Sequence, residues 1–106
     1  MIILTKPKII LYIGGIMFFL TKRVGETLQN VGIDFTDRLL TGETISTGTA
    51  TCATAGIVTG EGNNTTQVYC DLSAGVDGEE YLVEYVANGS LGSILEGTVL
   101  LCVSDD

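Results

Sequence analysis

Residues 76–86 read VDGEEYLVEYV, a tight acidic turn followed by the most regular strand pattern in the chain. The Asp77-Gly78 pair predicts the turn. A period of two in β-branched and aromatic residues predicts the strand. The two faces of that strand carry Tyr81, Val83 and Tyr85 on one side, and Leu82, Glu84 and Val86 on the other. One face is apolar, so the strand is expected to cover a core.

Similar alternation recurs along the chain after residue 30. It involves three sets of apolar residues: Val31, Ile33 and Phe35; Val68, Cys70 and Leu72; and Val99, Leu101 and Val103. A tyrosine near the start of a strand, as at position 81, is typical of immunoglobulin-like sandwiches, where it pins the preceding corner. We therefore predict an all-β fold, an Ig-like antiparallel β-sandwich over residues 31–106 with an extended N-terminal arm and connector over residues 1–30.

Several details of this sandwich follow from local composition. Residues 46–54 are threonine-rich and predict a strand with one solvent-exposed polar face. Glycines and asparagines in residues 56–66 predict a loop. Leu39 and Leu40 are expected to plug one end of the sandwich. The last strand, residues 94–103, is apolar on both sides at its end, so it is either central in its sheet or covered from outside the domain.

The charge distribution excludes some partners. The formal net charge is −8, and residues 39–106 contain ten carboxylates without a single Lys or Arg. Such a surface repels phosphate, so direct nucleic-acid binding is not expected. The acidic surface is interpreted as a solvated surface that aids solubility, or as a face that receives a basic segment such as the N-terminal arm of a neighbouring copy.

The first 20 residues differ in composition from the rest. Lys6 and Lys8 precede an apolar run over residues 9–20, which is similar to a secretory signal. However, Lys22-Arg23 follows at once without a small-x-small cleavage site, and the run is shorter than the about 20 residues that span a bilayer. An apolar N-terminal arm without a membrane partner is therefore predicted.

An arm of this composition has two ways to bury its side chains. It packs on its own domain, or it docks on another subunit, and docking is favoured because an added strand satisfies backbone groups and buries side chains together. The interface candidates in this segment are Ile9, Leu11, Ile13, Met17, Phe18 and Phe19.

Three cysteines, Cys52, Cys70 and Cys102, occur in a chain without histidine. No pair has C-x-x-C spacing, so a metal site within one chain is not expected. An odd number permits one internal disulfide with a free thiol, bridges between subunits, or free cysteines that act as small hydrophobic residues. At least one of the three is predicted to lie near a subunit interface.

No catalytic grouping is found in the sequence. The absence of histidine removes the imidazole route to a serine or cysteine nucleophile. Glu79 and Glu80 are adjacent, so on a strand they point to opposite faces and cannot flank one glycosidic bond. With Asp77 they could bind calcium, but a solvated turn is favoured. Neither nucleotide-binding glycine motif is present. We predict that the protein is not an enzyme and uses no cofactor.

Two segments carry a family resemblance. Residues 33–45, IDFTDRLLTGETI, and residues 72–83, LSAGVDGEEYLV, resemble small tailed-bacteriophage proteins described as fibre-tail adaptors. The similarity covers about residues 31 to 103. Ala74-Gly75 stands where a Gly-Gly pair is common in that family. The resemblance implies a virion component with an Ig-like sandwich, present in several symmetric copies near the neck or tail.

These observations lead to a functional hypothesis. The chain is expected to be a non-enzymatic virion structural protein, a neck or tail adaptor that links the connector or tail to fibres and forms a homo-oligomeric ring. One alternative is a capsid decoration protein that binds the major capsid protein. Another is an Ig-like module that binds the host surface, which the lack of tryptophan argues against.

Overall fold

Two four-stranded sheets pack face to face in the computed structural model, which describes residues 2–4 and 18–105. The described part contains a 3₁₀ turn at Thr36–Arg38, and no helix long and apolar enough to cross a membrane is found within it. The strands are β1 (Ile2–Leu4), β2 (Phe18–Lys22), β3 (Leu28–Asp34), β4 (Ile45–Cys52), β5 (Val58–Asn63), β6 (Gln67–Leu72), β7 (Glu80–Gly89) and β8 (Ile94–Val103).

The strand order is β1-β3-β6-β5 in the first sheet and β2-β8-β7-β4 in the second. The predicted all-β sandwich is therefore confirmed. The orders β3-β6-β5 and β4-β7-β8 match strands B-E-D and C-F-G of immunoglobulin constant domains. Two edge pairs, β1 with β3 and β2 with β8, are parallel. The prediction of purely antiparallel sheets did not include them.

The core lies between the sheets and is built by the alternation seen in the sequence. Inward-facing side chains of β3, β6, β7 and β8 are almost completely buried, as period-two patterning requires. Together with Phe35, which directly follows β3, those with no measurable exposure are Val31, Val68, Cys70, Leu72, Val83, Tyr85, Ala87, Val99 and Leu101. Phe18 of β2 joins this core at 9% exposure, so the second sheet includes part of the segment assigned to the arm and connector.

The acidic corner before β7 forms as predicted. The Tyr81 hydroxyl accepts a hydrogen bond from the Val76 backbone N–H at 2.9 Å. This contact ties the turn to the first residues of β7, as a tyrosine at this position does in immunoglobulin-like domains. β8 lies between β2 and β7, so it is an inner strand of the second sheet.

Two local predictions were wrong. Residues 58–63 form the edge strand β5 instead of a loop. Gly60 has a φ of +57°, and the register with β6 shifts between Thr59 and Gly62. This bulge breaks the alternation that would reveal the strand in the sequence. Of the two leucines expected to plug the sandwich end, Leu39 packs against the core, but Leu40 is 58% exposed.

Candidate assembly surfaces

One buried carboxylate organises the end of the sandwich at which β7 turns into β8. Glu43 is only 5% exposed. Its Oε1 accepts the Leu40 N–H at 3.1 Å, and its Oε2 accepts the N–H groups of Leu91 at 3.0 Å and Ser93 at 3.1 Å. The loop before β4 and the β7–β8 hairpin are therefore held on the same side chain.

The hydrogen bonds also set the charge state of Glu43. The Ser93 hydroxyl, together with the three backbone N–H groups, lowers the pKa of this carboxyl to about 2, although burial acts in the opposite direction. Donors directed at a carboxylate favour its ionised form. Gly89 leaves the necessary room, because a Cβ atom there would lie 2.3 Å from Glu43 Oε2.

Three exposed apolar side chains surround this anchor. Leu40, Leu91 and Ile94 are 58%, 59% and 70% exposed, and we call them the apolar tip. The first two donate their N–H groups to Glu43, and Ile94 follows Ser93, which does the same. Large apolar side chains that are grouped and exposed are typical of protein interaction sites. Their backbones are already fixed, so binding requires little further ordering.

A second apolar group lies on the outer face of the second sheet. Phe19 of β2 and Leu82 of β7 both lie opposite Leu100 of β8, so the three side chains form one row across three strands. Glu80 and Glu84 of β7 flank Leu82 at one end of this row. We call these five residues the outer sheet face.

The sequence-predicted interface residues have different positions. Ile9, Leu11, Ile13 and Met17 lie outside the described residues. Phe18 belongs to the core, whereas Phe19 is half-buried on the outer sheet face. The sequence analysis missed the apolar tip and its anchor, although Glu43 stands in the Gly-Glu-Thr-Ile segment that carries the family resemblance.

All three cysteines are free thiols in three different environments. Cys70 is enclosed in the core, 3.3 Å from the Tyr85 hydroxyl, and burial raises the pKa of its thiol. Cys52 is half-buried at the end of β4. Cys102 is half-buried next to the outer sheet face, where burial and the neighbouring Glu80 raise the pKa of its thiol.

An open cleft of about 320 Å³ separates the edges of β4 and β5. Within it, Glu61 Oε2 accepts the Ala50 N–H at 2.8 Å. A carboxylate placed on an edge strand occupies a donor that an added strand would need. The free edge of β4 is therefore poorly suited to pairing with a strand of another chain.

The fold and these surfaces define a small two-sheet domain whose polar side chains hold loops in place and whose exposed apolar side chains are suited to protein contacts. Within residues 2–4 and 18–105, no group of His, Cys, Asp and Glu side chains is arranged to hold a metal ion. The chain belongs to the family of the podophage GP4 fiber-tail adaptor protein gp77, whose family model matches residues 22–102.

No curated protein matches the chain. The family assignment confirms the resemblance found in the sequence, and it makes the protein a virion component with a structural role in the phage tail.

Proposed function

We propose that this protein is a non-enzymatic adaptor that joins the tail or connector to fibres as part of a homo-oligomeric ring, with the apolar tip as its contact to one of these partners. The observation that carries the proposal is the tip itself, three exposed apolar side chains at one end of the domain, on loops whose backbone donates hydrogen bonds to a buried carboxylate. The family description, a fiber-tail adaptor, supports the choice of partners.

The geometry of the domain fits a linking role. β7 runs the length of the second sheet from the Tyr81 corner to the β7–β8 hairpin, so the apolar tip lies at the opposite end from that corner. A contact at one end leaves the outer faces of the two sheets available for other subunits. The predicted arm, with Ile9, Leu11, Ile13 and Met17, would serve such lateral contacts.

The test is a variant with a polar tip, Leu40→Ser combined with Leu91→Ser, supplied to phage that lack the wild-type gene. A matched control is Val76→Ser, because Val76 is 63% exposed and lies at the other end of β7. Both proteins are expected to fold with unchanged thermal midpoints, since all three side chains are exposed. Particles with the tip variant should lack fibres, whereas control particles should carry them.

Two results would contradict the proposal. Fully fibred particles with the tip variant would show that the apolar tip does not bind a partner. A copy number that matches the capsid shell instead of a tail ring, measured by quantitative mass spectrometry of purified virions, would favour a decoration protein instead.

A further inference from the structure

The outer sheet face combines an apolar row with two carboxylates beside it. The apolar row formed by Phe19, Leu100 and Leu82 follows from strand register, because each neighbour in the row lies directly opposite the next. Leu82 is 44% exposed although β7 is one of the two inner strands of the second sheet. Glu80 and Glu84 lie on either side of Leu82 on the same face of β7, and both are exposed.

The cations among the described residues are engaged elsewhere. Lys22 is 2% exposed, and its ammonium group donates to the carbonyls of Arg23 at 2.7 Å and Val24 at 3.1 Å. Arg23 donates to the Asp105 carbonyl. Arg38 donates to the Glu96 carbonyl and lies over the Phe35 ring. Any cation that pairs with Glu80 and Glu84 must therefore come from another segment.

The chain itself supplies a segment of matching chemistry. Of its five cations, the two not yet accounted for are Lys6 and Lys8, and both directly precede the apolar run that starts at Ile9. Residues 6–13 therefore bring two positive charges and a run of apolar side chains together in one short segment. Two carboxylates beside an apolar row are complementary in charge and in polarity to this segment.

We infer that the outer sheet face is the docking surface for residues 5–17, the segment between β1 and β2, of a neighbouring copy, with Lys6 and Lys8 on Glu80 and Glu84 and the apolar side chains that follow on Phe19, Leu100 and Leu82. This inference deepens the proposed function and rests on it, since it requires copies to lie side by side in a ring.

A charge exchange tests the inference in the assembled virion. One variant carries Lys6→Glu and Lys8→Glu, and the other carries Glu80→Lys and Glu84→Lys. Each supplied alone to phage that lack the gene should reduce the number of adaptor copies per particle at least about tenfold, because like charges then face each other. Both supplied together should restore it, since each mutant segment then finds a mutant face on its neighbour.

A control separates this effect from net charge and from misfolding. Asp37→Lys combined with Glu79→Lys changes the net charge as much as the face variant does, at exposed positions outside the outer sheet face. It should assemble like wild type. Thermal midpoints of the purified variants should agree with that of the control, so a loss of copies cannot come from unfolding.

Three results would overturn the inference. Full copy numbers with either variant alone would show that the charges do not matter. If the number of adaptor copies recovers only when all four changes are on one chain, the segment docks on its own domain. If it recovers neither with that chain nor with the two variants mixed, the outer sheet face binds a different partner. Adaptor copies report this contact, whereas fibre content in the tip variant reports the proposed function, so the two failures are distinguishable.

Discussion

Replacing Tyr85 with phenylalanine removes one oxygen atom from the centre of the sandwich. Tyr85 has no exposed surface, its hydroxyl donates to the Val31 carbonyl at 3.0 Å, and the Cys70 sulfur lies 3.3 Å from the same oxygen. The substitution leaves a core carbonyl without this donor, and water cannot replace it. A buried polar group that loses its partner costs about 1–3 kcal/mol in the free energy of unfolding.

Tyr81 provides the comparison, because it is on the same face of the same strand. Its hydroxyl accepts the Val76 N–H at 2.9 Å at an exposed corner, where water can take over as acceptor. The expected loss for Tyr81→Phe is therefore the net value of an ordinary hydrogen bond, about 0.5–1.5 kcal/mol. A third variant, Tyr69→Phe, is the control, since its hydroxyl makes no hydrogen bond to any residue that the structure describes. It should change stability by less than about 0.5 kcal/mol.

The assay is urea unfolding of the three variants and the wild type, followed by circular dichroism. Tyr85→Phe should lower the midpoint most and leave the slope unchanged, because the same surface is exposed on unfolding. For a domain of this size, a loss of about 2 kcal/mol corresponds to a decrease of roughly 8–16 °C in the thermal midpoint. A loss for Tyr81→Phe equal to or larger than that for Tyr85→Phe would refute the reasoning from burial.

Three further predictions concern charged and titrating groups. Lys22→Met should destabilise the domain by about 1–2 kcal/mol, because two carbonyls of the adjacent turn lose an ammonium donor; an unchanged urea midpoint would contradict this. The unfolded state binds a proton at Glu43 at higher pH than the folded state does, so stability should decrease as pH falls from about 4.5 to 2, and the thermal midpoints of Glu43→Gln should show a weaker decrease. Burial raises the pKa of Tyr85, so the folded state keeps a proton that the unfolded state releases above about pH 10. Above that pH, Tyr85 should therefore lower the free energy of unfolding by up to about 1.4 kcal/mol per pH unit. Tyr85→Phe should lose that contribution, and equal alkaline slopes in the two proteins would argue against it.

Much of the fold was predictable because its signals are local. β3, β6, β7 and β8 each place small sets of apolar side chains on one face, and period two is enough to assign those faces without knowledge of the neighbours. The Tyr81 corner was predictable for the same reason, since the tyrosine and the backbone it contacts are five residues apart. The glycine-rich β5 was not, because its pairing with β6 outweighs a weak local preference.

The candidate surfaces depended far more on long-range contacts. Leu39 and Leu40 are adjacent in the sequence and identical in chemistry, yet one packs on the core and the other is exposed. Nothing in the sequence distinguishes Glu43 from the other acidic residues. Its role follows from the N–H groups of residues 91 and 93, which donate to its carboxylate in the folded structure.

The sequence by itself determined the all-β class, the faces of the main strands, the acidic character of the domain and the family to which it belongs. These properties depend on residue type and on spacing along the chain. Only the tertiary structure decided that Phe19, Leu82 and Leu100 form one row and that a single carboxylate holds the apolar tip. The physical reason is that alternation tells which side of a sheet a residue faces, whereas the neighbours across the sheet are chosen by strand pairing between segments up to about 80 residues apart, which no local pattern records.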